Sequence, residues 1–96
     1  AKIYVRTGAD VLIADARVVL IADIQANESD IEFVDTLYTN SDGYVEFNIA
    51  DYYETAGKKI EVANFDIIAR KNDKLGYGEI RTRVYTTAVE TVYLEE

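Results

Sequence analysis

Short runs in which apolar and polar residues alternate recur along this chain, and that period of two most constrains its fold. The run from residue 16 to 24 is the clearest, with small or aliphatic side chains at every second position. Alternation of this kind is typical of strands with one buried face. Similar runs begin near residues 2, 31, 44, 59, 75 and 88, and one helical turn is expected between Asp51 and Gly57. The sequence therefore predicts an all-β fold.

A turn signal, Asn40-Ser41-Asp42-Gly43, separates two of these runs. Asn and Asp side chains bond their own backbone, and Gly accepts a positive φ, so this tetrapeptide predicts a tight hairpin turn. Asn40 and Asp42 also alternate as the oxygen ligands of a calcium loop do. The further ligands that such a loop needs do not follow at the expected offsets, so a turn without metal is favoured.

Length and charge narrow the possible functions. The 96 residues are expected to form one domain over 1–96, and 49% hydrophobic residues suffice for a core without disulfides, since the chain has no Cys. The net charge of −8 and the lack of a basic cluster argue against nucleic acids and anionic membranes as partners. No apolar run approaches the roughly 20 residues that cross a bilayer, so no membrane insertion is expected.

About seven strands is the number found in immunoglobulin-like antiparallel sandwiches, and three segments add a family resemblance. They are residues 12–20 (LIADARVVL), residues 39–47 (TNSDGYVEF), and residues 65–69 (FDIIA) followed by Gly76-Tyr77. In this order they resemble the signature runs of carboxypeptidase regulatory-like domains. Ile13 and Asp15 stand where that family usually has Pro and Gly, and the connection over 50–63 is longer.

The resemblance implies a transthyretin-like (prealbumin-like) sandwich that accompanies catalytic, transport or surface modules and is not itself catalytic. The related B-type repeats of collagen adhesins carry an internal Lys–Asn isopeptide bond. Lys2 stands on the expected strand, but residues 86–96 contain neither Asn nor Asp, so we do not expect this crosslink.

Residues for catalysis and metal binding are scarce. The chain has no His and no Cys, which removes the common nucleophile–base pairs and nearly all zinc sites. Its two serines, Ser29 and Ser41, lie in predicted loops, and its acidic residues mostly occupy outward strand positions. We therefore predict a non-enzyme with no cofactor and no metal site.

Tyrosine is the unusual component, with eight residues in the chain. Tyr is a good strand former, but it is also favoured at protein interfaces. The second face of the strand at 16–24 carries further apolar side chains. We predict an interface among the outward tyrosines and these aliphatic residues: Tyr4, Val19, Ile21, Tyr44, Tyr77, Tyr85 and Tyr93.

These features predict a structural module outside the cell or on its surface, because the chain lacks oxidisable Cys, Met and Trp and its Ala1 start fits a processed or trimmed chain. Such a module would assemble with copies of itself through strand edges and Tyr-rich faces, as in a filament, stalk or adhesin. Two alternatives remain open: a domain that binds polysaccharide, and an accessory domain of a larger secreted enzyme or transporter.

Overall fold

The computed structural model describes residues 1–23, 32–50, 52–53, 62–83 and 86–95. The chain is all-β, as predicted, and the described residues contain seven strands. They are β1 (Lys2–Thr7), β2 (Arg17–Ala22), β3 (Val34–Tyr38), β4 (Tyr44–Glu46), β5 (Val62–Lys71), β6 (Lys74–Arg83) and β7 (Val89–Leu94).

The strands form two sheets that enclose one core. The three-stranded sheet has the order β4-β1-β7, and the four-stranded sheet has the order β3-β2-β5-β6. Residues at alternate positions point between the sheets, which is why the period-two pattern identified them. The fully buried side chains include Ile3, Val5, Val18, Leu20 and Val92.

One pairing differs from the predicted antiparallel arrangement. β1 and β7 are parallel, with Lys2 opposite Val89 and Thr7 opposite Leu94. Parallel neighbours need a long connection between them, and here the connection is the rest of the domain. A pairing between the first and last strands leaves no local signal, so alternation alone did not reveal its direction.

Residues 40–43 turn the chain between sheets, whereas the sequence predicted a hairpin within one sheet. The Asn40 side-chain oxygen Oδ1 accepts the N–H groups of Asp42 at 2.9 Å and Tyr44 at 3.2 Å. Gly43 has φ of 78° and packs so closely that an added Cβ would lie 2.8 Å from Leu12 Cβ. The strands on either side, β3 and β4, pair with β2 and β1 instead of each other. The turn is therefore an arch between the two sheets.

A buried hydroxyl holds the start of this arch. Thr39 is 2% exposed; its Oγ1 donates to the Ile13 carbonyl at 2.6 Å and accepts the Ala16 N–H at 2.8 Å. Thr82 carries a second buried hydroxyl, and the Tyr53 hydroxyl lies 2.6 Å from its Oγ1. Both buried hydroxyls are thus satisfied.

Glycine lets β7 approach β6 and close one side of the sandwich. A Cβ at Gly76 would lie 2.3 Å from the Tyr93 carbonyl oxygen, and one at Gly78 would lie 3.0 Å from Val92 Cγ2. Beyond this contact, the Glu95 N–H donates to the Leu75 carbonyl at 2.8 Å. The two sheets are therefore joined along this side by backbone contact.

The expected helical turn is only partly described. The N–H groups of Tyr52 and Tyr53 donate to the Ile49 carbonyl at 3.1 and 3.3 Å, which is the bonding of one helical turn. Its predicted limits, Asp51 and Gly57, lie outside the described residues.

Candidate interaction surface

The predicted interface residues separate onto opposite sides of the sandwich. Tyr4, Tyr44 and Tyr93 lie on strands of the three-stranded sheet, whereas Val19, Ile21 and Tyr77 lie on the four-stranded sheet. All six point away from the core, and Tyr85 lies outside the described residues. A single contact therefore cannot use all of them, and each outer face is considered separately.

On the outer surface of the four-stranded sheet, the four-stranded face below, the strand register gives three rows that cross all four strands. The arginine row contains Tyr38, Arg17, Arg70 and Leu75. The middle row contains Thr36, Val19, Ile68 and Tyr77. The acidic row contains Val34, Ile21, Asp66 and Glu79. Residues of one row are direct cross-strand neighbours, so their side chains share the same side of the sheet.

Apolar side chains on this face are open to solvent at its margins. Tyr77 is 70% exposed, Val34 65% and Tyr38 62%. Val19 and Ile68 are half-buried at the centre of the sheet. Contiguous exposed apolar surface of this kind marks interaction sites, so the four-stranded face is the better candidate.

Sequence reasoning missed three apolar members of this face, namely Val34, Tyr38 and Ile68. The adjacent pair Ile67-Ile68 carried a usable signal, because two aliphatic residues in succession on a central strand place one on each face. Val34 and Tyr38 belong to edge strand β3, where the adjacent apolar pairs Phe33-Val34 and Leu37-Tyr38 interrupt the alternation. Its register against β2 is nevertheless continuous, and most of its side chains are exposed.

The same face carries like charges directly opposite each other. Arg17 pairs with Arg70 across β2 and β5, and Asp66 pairs with Glu79 across β5 and β6. Like charges at directly opposed positions destabilise a sheet. The Arg70 Nε donates to the Asn72 carbonyl at 2.9 Å, which holds this guanidinium at the hairpin end of β5. The arginine pair therefore offers positive charge to a partner, and the acidic pair offers negative charge.

The three-stranded face, formed by the outward residues of β1, β4 and β7, has a different character. The rings of Tyr4 and Tyr44 are 5.5 Å apart and inclined at 52°. The Lys2 ammonium lies 4.2 Å from the centre of the Tyr44 ring and 5.2 Å from that of Tyr4. The hydrogen bond to Tyr4 raises the pKa of Lys2 above its usual value. The Lys2 ammonium and the two tyrosine rings thus contact one another, so less of their surface is open to a partner.

Two edge strands of the sheets carry an acidic residue at an inward position. Asp35 on β3 is paired with buried Leu20, and its carboxylate accepts the N–H of the next residue at 2.9 Å. Glu90 on β7 is paired with buried Ile3, and its carboxylate accepts the following N–H at 3.0 Å. Inward-pointing charge is a device by which proteins protect strand edges from edge-to-edge pairing. These edges are therefore poor sites for strand addition.

Within the ranges that the structure describes, no three acidic side chains come together in a way that could bind a metal ion. The same described ranges contain no helix long and apolar enough to span a membrane.

Comparisons of the chain with protein-family models, with curated proteins and with solved structures found no match. The resemblance to carboxypeptidase regulatory-like domains therefore stays a prediction.

Proposed function

We propose that this protein is a non-catalytic structural module that associates with copies of itself through the four-stranded face. The proposal includes an immunoglobulin-like or transthyretin-like form of the sandwich and a place outside the cell or on its surface, where a chain without oxidisable Cys, Met or Trp is suited to persist. The observation that carries it is the middle row, in which Val19 and Ile68 are flanked by exposed Tyr77.

Burial of this row in a contact would be favourable. Removing apolar surface from water contributes roughly 25 cal/mol per Å², and aromatic residues at such positions are common anchors of interfaces. The guarded edges at Asp35 and Glu90 direct association toward faces and away from strand addition. Self-association by face packing is therefore the form of assembly that the geometry favours.

Polysaccharide binding has weaker support. Sugar rings stack on flat exposed aromatic surfaces, but Tyr4 and Tyr44 are inclined to each other at 52°. Lys2 lies over both rings, which takes up the surface that a sugar would need. We therefore retain the structural module as the proposed function.

Size-exclusion chromatography with light scattering tests the proposal. The wild-type mass should rise above the 10.8 kDa of one chain as the protein concentration increases. Ile68→Lys, in the middle row, should keep the mass at that of a monomer. Thr91→Lys, on the three-stranded face, is the matched control and should associate like wild type. A wild-type protein that stays monomeric at every concentration would refute self-association.

A further inference from the structure

We propose that the four-stranded face binds the same face of a second copy in a two-fold symmetric dimer whose axis runs along the middle row. This inference rests on the proposed function and specifies its partner and geometry. It is argued from the order of charges on the face, in which a positive and a negative row lie on either side of an apolar one.

The spacing of the rows makes the face complementary to itself. Arg17 and Ile21, on β2, mark the arginine and acidic rows and are four residues apart, a distance of about 14 Å along a strand. The middle row lies halfway between them, at Val19. A half-turn about an axis along that row exchanges the outer rows and leaves the middle row facing its own copy. Every arginine row then lies over an acidic row.

The resulting contacts can be read from the register. On β5, Arg70 of one copy lies over Asp66 of the other, and the symmetry repeats this contact. At the centre, Ile68 packs against Ile68 of the second copy. At the β3 margin, Tyr38 of one copy covers Val34 of the other, so its ring is removed from water. The half-turn leaves the mean strand directions of the two copies nearly aligned. Sheets that pack face to face usually keep these directions within about 30° of each other.

Dimer formation also offsets an electrostatic cost within each monomer. The Arg17–Arg70 pair and the Asp66–Glu79 pair each hold like charges in directly opposed positions. The direct contact of Arg70 with Asp66 of the second copy, repeated by the symmetry, offsets part of both repulsions. Asp15 and Lys71 line the same shallow depression as the two arginines, so their opposite charges leave the arginine row positive there.

The size of the face sets the expected strength. Four strands about 4.8 Å apart and three rows about 7 Å apart give a face of roughly 19 by 20 Å. An interface of this size is at the low end for specific complexes, where weak and transient contacts are found. We therefore expect a reversible dimer that forms at high protein concentration, followed conveniently by sedimentation velocity.

Charge reversal with two complementary variants tests the geometry. One variant is Arg17→Glu with Arg70→Glu, and the other is Asp66→Lys with Glu79→Lys. Each replaces a like-charge pair by another like-charge pair, so the ladder within the monomer keeps the same kind of interaction. Each variant alone should dimerise at least tenfold more weakly than wild type. Mixed in equal amounts, they should form a heterodimer of near wild-type affinity, because unlike charges meet at both ends.

A control on the opposite face separates this geometry from a general effect of charge. Lys2→Glu with Arg6→Glu makes the same change in net charge as the arginine variant, but on the three-stranded face, and it should dimerise like wild type. Circular dichroism of each variant confirms folding before sedimentation. If wild type dimerises but both reversed variants dimerise equally well, or their mixture gains nothing over either alone, the proposed axis is wrong. A wild-type monomer would instead overturn the proposed function itself.

Discussion

Replacing Thr39 by valine tests how the arch between the sheets is held. Valine preserves the β-branched shape but removes the hydroxyl that bridges the Ile13 carbonyl and the Ala16 N–H. These two backbone groups lie in the segment that leads into β2, beside Thr39 at the point where the chain leaves β3. Without Oγ1, the Ala16 N–H loses its partner in the core, because the contact is buried.

The magnitude follows from the two lost hydrogen bonds. A buried polar group left without a partner costs about 1–3 kcal/mol. The Ala16 N–H bears this cost in full, and the Ile13 carbonyl bears part of it because its contact is only partly buried. We expect Thr39→Val to lower the free energy of unfolding by about 2–4 kcal/mol. That is a large fraction of the roughly 5–15 kcal/mol of a typical domain.

Urea unfolding followed by circular dichroism at low protein concentration measures this loss. With an m-value of about 2 kcal/mol per M, in the middle of the range for small domains, the midpoint should fall by roughly 1–2 M. Thr36→Val makes the same chemical change at an exposed position of β3, three residues earlier in the chain, and it should alter stability by less than about 0.5 kcal/mol. Equal effects of the two substitutions, or no effect of Thr39→Val, would refute the bridging role.

Two further substitutions test packing and a buried hydrogen bond. Gly76→Ala should cost at least about 2–3 kcal/mol in urea unfolding, because its Cβ would meet the Tyr93 carbonyl oxygen at 2.3 Å; Gly8→Ala, with open space around it, should be neutral. An equal response of the two glycine variants would contradict the close approach of β6 and β7. Tyr53→Phe should cost about 1–2 kcal/mol by removing the buried bond to Thr82, and it should cost much less in a Thr82→Val background; an unchanged cost there would show that the two hydroxyls act independently.

Alternation predicted the core because inward positions need only local sequence. Ile3 and Val5 are two residues apart in the run that begins near residue 2, as one face of a strand requires, and both are fully buried. The tight turn predicted at residues 40–43 is confirmed, since the Gly43 N–H donates to the Asn40 carbonyl at 2.9 Å, but the pairing of its flanking strands as a hairpin was wrong for a tertiary reason. The contact of Gly43 with Leu12 and the burial of Thr39 draw the chain across to the other sheet, and neither contact leaves a trace in the turn tetrapeptide.

The order of residues on the four-stranded face likewise depends on pairing between distant parts of the chain, which local sequence does not reveal. Val19 and Ile21 were recognised as a second apolar face of one strand, but the rows exist only once β2 pairs with β5. Arg17 meets Arg70, and Val19 meets Ile68, through a register that joins distant parts of the chain. Single-strand patterns therefore identified apolar members of the face and missed its order of charges, which carries the proposed geometry.

The most direct test of self-association through the four-stranded face is a series of ¹H–¹⁵N correlation spectra at increasing protein concentration. Our account predicts shifts that grow with concentration at the amides of β2, β5 and β6, centred on Ile68, with little change along β1 and β4. Spectra that do not change with concentration, or shifts confined to the three-stranded face, would contradict it.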